Sequence, residues 1–170
     1  DINETLECWE IALKSENTPS VIALSRQKVP YINQSNLKEN RCEKGAYIVK
    51  ITSHDNNVTI VSSGTEVELA LKVQEKLKEN NINSKVVSMP CMELFDKQSE
   101  DYRKNIIEEN SMIITLEAGS VMSWQKYIKN KGMNIGIDKF GESAPYKEVY
   151  SHFDLTEEKI TNFIQKKLRE

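Results

Sequence analysis

Val58-Thr-Ile-Val-Ser62, Ser63-Gly-Thr-Glu-Val67, the run on to Asn80, and Lys85-Val-Val-Ser-Met89 together decide the fold. The first and last pieces are short and apolar, rich in β-branched residues, and read as strands. Between them Val67, Ala70, Leu71, Val73 or Gln74, and Leu77 recur at helical spacing, with Lys and Glu opposite. Residues 58 to 89 therefore form a β-α-β unit, whose strands should be parallel and whose crossover right-handed. A parallel sheet places the chain in the α/β class.

Working outward, Ala46-Tyr-Ile-Val-Lys-Ile51 reads as a strand that can join Val58–Ser62 as a hairpin across Asn56-Asn57. Pro90 to Ile107 reads as a helical turn and a short helix, and Ser111-Met-Ile-Ile-Thr-Leu-Glu117 as a buried strand. A helix through Trp124, Tyr127 and Ile128 should reach a C-cap near Gly132, before a last strand at Asn134-Ile-Gly-Ile137. A short helix is expected over 145–150. Thr156 caps a final amphipathic helix, with Glu157 and Glu158 at its positive end and Lys166, Lys167 and Arg169 at its negative end. The expectation is a three-layer α/β/α domain with a mostly parallel five-stranded sheet and one antiparallel edge strand.

Toward the N-terminus, Ile2, Leu6, Trp9 and Leu13 mark an amphipathic helix capped by Asp1 or Asn3 and ending near Lys14. Ser20-Val-Ile-Ala-Leu-Ser25 reads as a strand buried on both faces, which needs neighbours for its main-chain bonds. Residues 26–44 are polar, turn-rich and aperiodic. Loops of that length are uncommon inside a compact domain, so this one marks a boundary. The expected organisation is a domain remnant at 1–28, an interdomain linker at 29–44 and an α/β domain at 45–170.

The 170 residues carry 23 basic and 26 acidic side chains, a net charge of −3, with 38% hydrophobic residues. No basic patch is present to hold nucleic acid or anionic lipid, and no apolar stretch reaches the roughly 20 residues of a membrane span. Neither nucleic acid nor membrane is expected as a partner, and the cytoplasm is the expected location. Cys8, Cys42 and Cys91 lack CxxC spacing and read as reduced thiols. Two histidines, His54 and His152, leave little material for a metal site or imidazole catalysis, and both sit in polar surroundings. A chain opening on Asp1 is expected to be processed or excerpted.

Several strings in order resemble one family. They are Asp1-Ile-Asn-Glu4, Pro19-Ser-Val-Ile-Ala-Leu-Ser-Arg-Gln27, Gly45-Ala-Tyr47, Ser63-Gly-Thr-Glu-Val67, Val86-Val-Ser-Met-Pro90, Glu93-Leu-Phe95, Tyr102-Arg103, Glu117-Ala-Gly119 and Ile135-Gly-Ile-Asp-Lys-Phe-Gly-Glu-Ser-Ala-Pro145. The ordered set resembles the C-terminal part of transketolases. The resemblance implies an enzyme that uses thiamine diphosphate and a divalent metal, Mg or Ca, to move a two-carbon ketol unit from a ketose phosphate to an aldose phosphate. It also implies a homodimer whose N-terminal and middle domains hold the cofactor. The remnant at 1–28 would be the tail of the middle, pyrimidine-binding domain. The family's Gly-Asp-Gly and Asn metal motif, its activating glutamate and its channel histidines are absent from these residues. The resemblance thus implies no catalytic, cofactor-binding or metal-ligating residue here, and an isolated chain without activity.

One site residue is carried over. Arg26, in Ser25-Arg26-Gln27, matches the family's arginine that contacts the substrate phosphate. A planar, permanently charged guanidinium suits phosphate oxygens, and α/β sheets place ligands at the carboxyl ends of strands. The plainer alternative is a solvated arginine at a strand end. Ser63-Gly64-Thr65 has the look of an anion site at a helix start, but without GxGxxG or GxxxxGK[ST] around it, a turn and cap is the better reading. Glu117 is assigned to structural hydrogen bonding, and Trp9 and Trp124 to core or interface packing. A non-catalytic regulatory or assembly subunit of a split thiamine-diphosphate enzyme is the alternative function. A deoxyxylulose-phosphate synthase or a ketoacid dehydrogenase β subunit is a third, which the Leu-Ser-Arg-Gln and Asp-Lys-Phe-Gly strings fit less well.

Overall fold

A computed structural model of the chain describes residues 1–32, 39–108, 110–128 and 132–170. Five strands, β1 (Tyr47–Ile51), β2 (Val58–Ser62), β3 (Ser84–Ser88), β4 (Met112–Leu116) and β5 (Met133–Ile135), form one sheet in the order β1-β3-β2-β4-β5. β3, β2, β4 and β5 are parallel and β1 is antiparallel, as the sequence led one to expect. The central strands β2, β3 and β4 are buried along their whole length. That explains their continuous apolar runs, because Ile60 faces one layer of helices and Val61 the other.

Between β2 and β3 lies α2 (Glu66–Glu79), which packs Ala70, Val73 and Leu77 on the sheet beside Ile160 and Ile164 of the C-terminal helix α6 (Glu157–Leu168). The opposite face is covered by α3 (Met92–Asp96), α4 (Glu100–Ile106) and a 3-10 helix at Met122–Tyr127, through Phe95, Ile106, Trp124 and Tyr127. These are the three layers. Thr156 caps α6 through a bond from the Lys159 N–H, 3.4 Å. The short helix before it is α5 (Tyr146–His152).

The hairpin does not form. β1 pairs with β3, Tyr47 opposite Ser88, because both edges of β2 are already taken by β3 and β4. The loop 52–57 instead crosses the start of β3, where Thr52 N donates to Ser84 O at 3.1 Å and Asn57 N to Asn83 O at 3.0 Å. The register of β1 is broken by a bulge between Ile48 and Lys50, and Arg41 Nη2 donates to the Ile48 carbonyl at 2.6 Å. The helix expected up to Gly132 is shorter and tighter, ending at Tyr127, and residues 129–131 lie outside the described ones. The last strand, Met133–Ile135, starts one residue before the expected one and ends two before it.

The largest departures are at the N-terminus. α1 (Ile2–Lys14) forms and Asp1 caps it, its Oδ1 accepting from Glu4 N at 3.0 Å. Yet its polar face is the buried one. Asn3, Glu4 and Glu7 point inward, while Ile2, Leu6, Trp9 and Leu13 are 65%, 55%, 49% and 79% exposed. Glu4 Oε1 accepts from Tyr47 Oη at 3.0 Å and also from Ser88 Oγ, and Glu7 Oε2 accepts from Cys42 N at 3.1 Å. Burial, then the Glu4 charge, pushes the Tyr47 hydroxyl well above its usual range, so it stays a donor. Ser20–Ser25 forms no strand, and Val21 is 95% exposed. No described strand lies beside it, so its backbone has no ladder to join. Of the segment expected as a linker, residues 33–38 lie outside the described ones. Before them Val29 and Ile32 pass over Gly64 and Thr65, and after them Arg41–Lys44 makes a 3-10 turn.

Candidate functional site at the carboxyl edge of the sheet

From β2 the chain steps through α2 to β3 on one side, and from β3 it returns through α3 and α4 to β4 on the other. The carboxyl ends of β2 and β4 therefore feed loops that diverge, the place where open α/β sheets form a crevice. Ser63-Gly64-Thr65 and Glu117-Ala118-Gly119 are those loops.

Carboxyls fill the crevice. Glu66, 4% exposed, is the first residue of α2 and accepts from Thr65 Oγ1 at 2.7 Å and from Tyr150 Oη. Glu117 accepts from Ser63 Oγ at 3.0 Å, and Trp124 and Glu66 lie close enough to act on its carboxyl. Burial first, then the Glu66 charge, raises the Glu117 pKa above the usual carboxylate range. Burial and Glu66 raise the Tyr150 hydroxyl in the same way. The arrangement pins α2, α5, β2 and β4 together. It repels anions, because acidic side chains already occupy the positive end of α2. Ser63-Gly64-Thr65 is a turn, with Gly64 at φ +54°, but the expected cap does not form, because Thr65 Oγ1 is turned to Glu66 Oε1 and makes no side-chain capping bond.

Glu66 and Tyr150 went unnoticed in the sequence, 84 positions apart. A glutamate in a first helical turn is an ordinary dipole partner, and nothing local marks it as buried. The consequence for stability has a definite sign. A carboxyl whose folded pKa is raised keeps more protons folded than unfolded, so stability falls as pH rises from about 4.3 through the folded value. Glu117→Gln should flatten that decline and leave the protein at least as stable near pH 7, as urea midpoints measured across pH will show.

Arg26 is exposed, outside any helix or strand, and no bond or ion pair ties it to the described residues. The next residues, Gln27 and Lys28, border a recess of about 110 Å³ with Thr65, Glu68, Leu69 and Lys72 of α2 and Tyr146 and Tyr150 of α5. The chain after Arg26 thus runs along the same carboxyl edge without entering the carboxyl cluster. His54 and His152 are exposed, as expected. Cys91 is bonded to Glu93 and its thiol is pushed up by burial, which makes it a poor nucleophile. Among the described residues no three His, Cys, Asp or Glu side chains converge to hold a metal ion. The carboxyls gathered here repel a diphosphate.

Residues 45–156 match the family model of the transketolase-like TK C-terminal domain. The chain belongs to the transketolase family. It is 40% identical over 166 residues to the transketolase of Rhodobacter capsulatus, covering 94% of this chain and 25% of that protein. It is 39% identical over 163 residues to the chloroplastic transketolase of Solanum tuberosum, covering 94% of this chain and 22% of that one. In structure it resembles Pichia stipitis transketolase in complex with sedoheptulose 7-phosphate, with a TM-score of 0.90 and 31% identity over 99% of this chain and 24% of that chain. The transketolase relatives are transferases, and this chain spans about a quarter of their length, 25% and 22% in the two sequences above. No helix among the described residues is long and apolar enough to cross a membrane.

Proposed function

We propose that this chain is the C-terminal part of a transketolase that transfers a two-carbon ketol unit between sugar phosphates, and that Arg26 holds the substrate phosphate. The likeness to relatives named transketolase along nearly the whole chain, 94% of it at 40% identity, carries the reading. Thiamine diphosphate and a divalent metal serve the intact protein from its other domains. The carboxyl-filled crevice, which repels a diphosphate, supports a chain whose cofactor is held elsewhere.

In this reading the chain contributes to assembly as a homodimer, working in the cytoplasm. The middle domain lies against the outward face of α1, where Ile2, Leu6, Trp9 and Leu13 are exposed. The interdomain boundary falls at 29–44, and the domain proper starts at Gly45. By itself the chain binds no thiamine diphosphate and transfers no ketol unit.

What supports the reading is that Arg26 is exposed and makes no bond among the described residues, which leaves its fork of donors available to an incoming phosphate. The test is steady-state kinetics of the intact enzyme with Arg26→Ala. Loss of a charge-assisted bond to phosphate should raise KM for a phosphorylated acceptor by roughly 10- to 100-fold. An unphosphorylated aldose should be unaffected, and Arg26→Lys should recover part of the loss. Equal effects on both substrates would reject the assignment.

A further inference from the structure

Cys8 lies on the inward side of α1, and Cys42 lies in the 3-10 turn Arg41–Lys44. Cys42 Sγ is 3.9 Å from the Glu4 carbonyl, the acceptor one helical turn before Cys8, and Cys42 N is bonded to Glu7, its immediate neighbour. The two thiols are close enough to act on each other's ionisation. Cys8 is half-buried and Cys42 is 1% exposed.

We propose that Cys8 and Cys42 form a reversible disulfide, made by exchange with a small-molecule disulfide such as oxidised glutathione. The asymmetry between the thiols sets the order of events. Cys8 is the more exposed of the two, and contact with Cys42 lowers its pKa, whereas Cys42 is buried. The Cys8 thiolate attacks one sulfur of the oxidant, forming a mixed disulfide and releasing one glutathione thiolate. Cys42 then gives its proton to the neighbouring Glu7 carboxylate, whose Oε2 already accepts from Cys42 N, and attacks the Cys8 sulfur. The second glutathione leaves. Two protein thiols are oxidised and one small disulfide is reduced to two thiols.

The crosslink bolts α1 to the turn that enters β1 and so fixes both ends of the segment that carries Arg26. In the reduced protein that attachment rests on the buried Glu4 and Glu7 bonds. Closing a loop of this length constrains the unfolded chain and should raise the thermal midpoint by roughly 5–15 °C.

The purified intact protein, incubated with oxidised glutathione in native buffer, alkylated and digested without reductant, supplies the test. Peptide mapping should find Cys8 joined to Cys42, Cys91 alkylated, and the linkage lost after a reductant. Cys42→Ser should stop at a Cys8–glutathione adduct, and Cys8→Ser should leave Cys42 unmodified. A stable Cys8–glutathione adduct in the unaltered protein, an unreacted Cys8, or a bridge from Cys8 to any other thiol would overturn the proposal.

Discussion

Gly45→Ala should destabilise the protein by roughly 2–5 kcal/mol, an amount comparable to the whole stability of a marginal domain. Gly45 ends the 3-10 turn at φ +80°, a left-handed conformation that costs a residue with a Cβ about 1–2 kcal/mol. An added Cβ would also lie 2.2 Å from Phe95 N and 2.3 Å from Cys91 O. Those are backbone atoms at the start of α3, so relief requires moving α3 away from the sheet it covers. Gly64→Ala is the control, since its φ is also positive, +54°, but nothing lies within 4 Å of the new carbon. Urea unfolding of the two variants should separate the costs: about 1 kcal/mol at Gly64 and several at Gly45. Equal losses would mean that the close packing at Gly45 is not what fixes the turn.

Trp124→Ala should cost about 3–5 kcal/mol and lower the thermal midpoint by roughly 10 °C or more. Trp124 is 2% exposed and stands edge-on to Tyr127, ring centroids 6.2 Å apart, which in turn meets Phe95 at 5.9 Å. Removing the indole opens a cavity in the layer beneath β4 and takes away the neighbour that holds the Glu117 pKa down. Trp124→Phe distinguishes the two losses. The ring remains and the donor goes, so most stability should survive while the Glu117 pKa climbs further, visible as a steeper decline of stability with rising pH.

The β2-α2-β3 unit was legible because burial on both faces leaves one kind of run in the sequence, and a helix between two such runs has one way to return. Pairing of β1 was not legible in the same way. Asn56-Asn57 is a local hairpin signal, and what defeats it is the occupation of both edges of β2 by strands that come later in the chain. α1 teaches a related lesson. The spacing of Ile2, Leu6, Trp9 and Leu13 identifies a helix, but periodicity says nothing about which face has a partner. Glu4 and Glu7 are buried here because Tyr47, Ser88 and Cys42 offer them donors, a match between distant residues that no local pattern displays. The carboxyl cluster was hidden for the same reason, since Glu66, Glu117 and Tyr150 come from three separate elements. Arg26 came from resemblance, and its surroundings in the fold are an exposed strand-less segment beside α2.

The rims of the sheet bear on how such a chain would associate if it met its own kind. On one side β1 is interrupted by its bulge, and Arg41 occupies the Ile48 carbonyl; on the other, β5 is only three residues long. Open main-chain donors and acceptors in a row are the template on which strands add end over end into fibres. Among the described residues neither rim offers such a row, so contacts made by this chain should run through side chains and stay finite in extent.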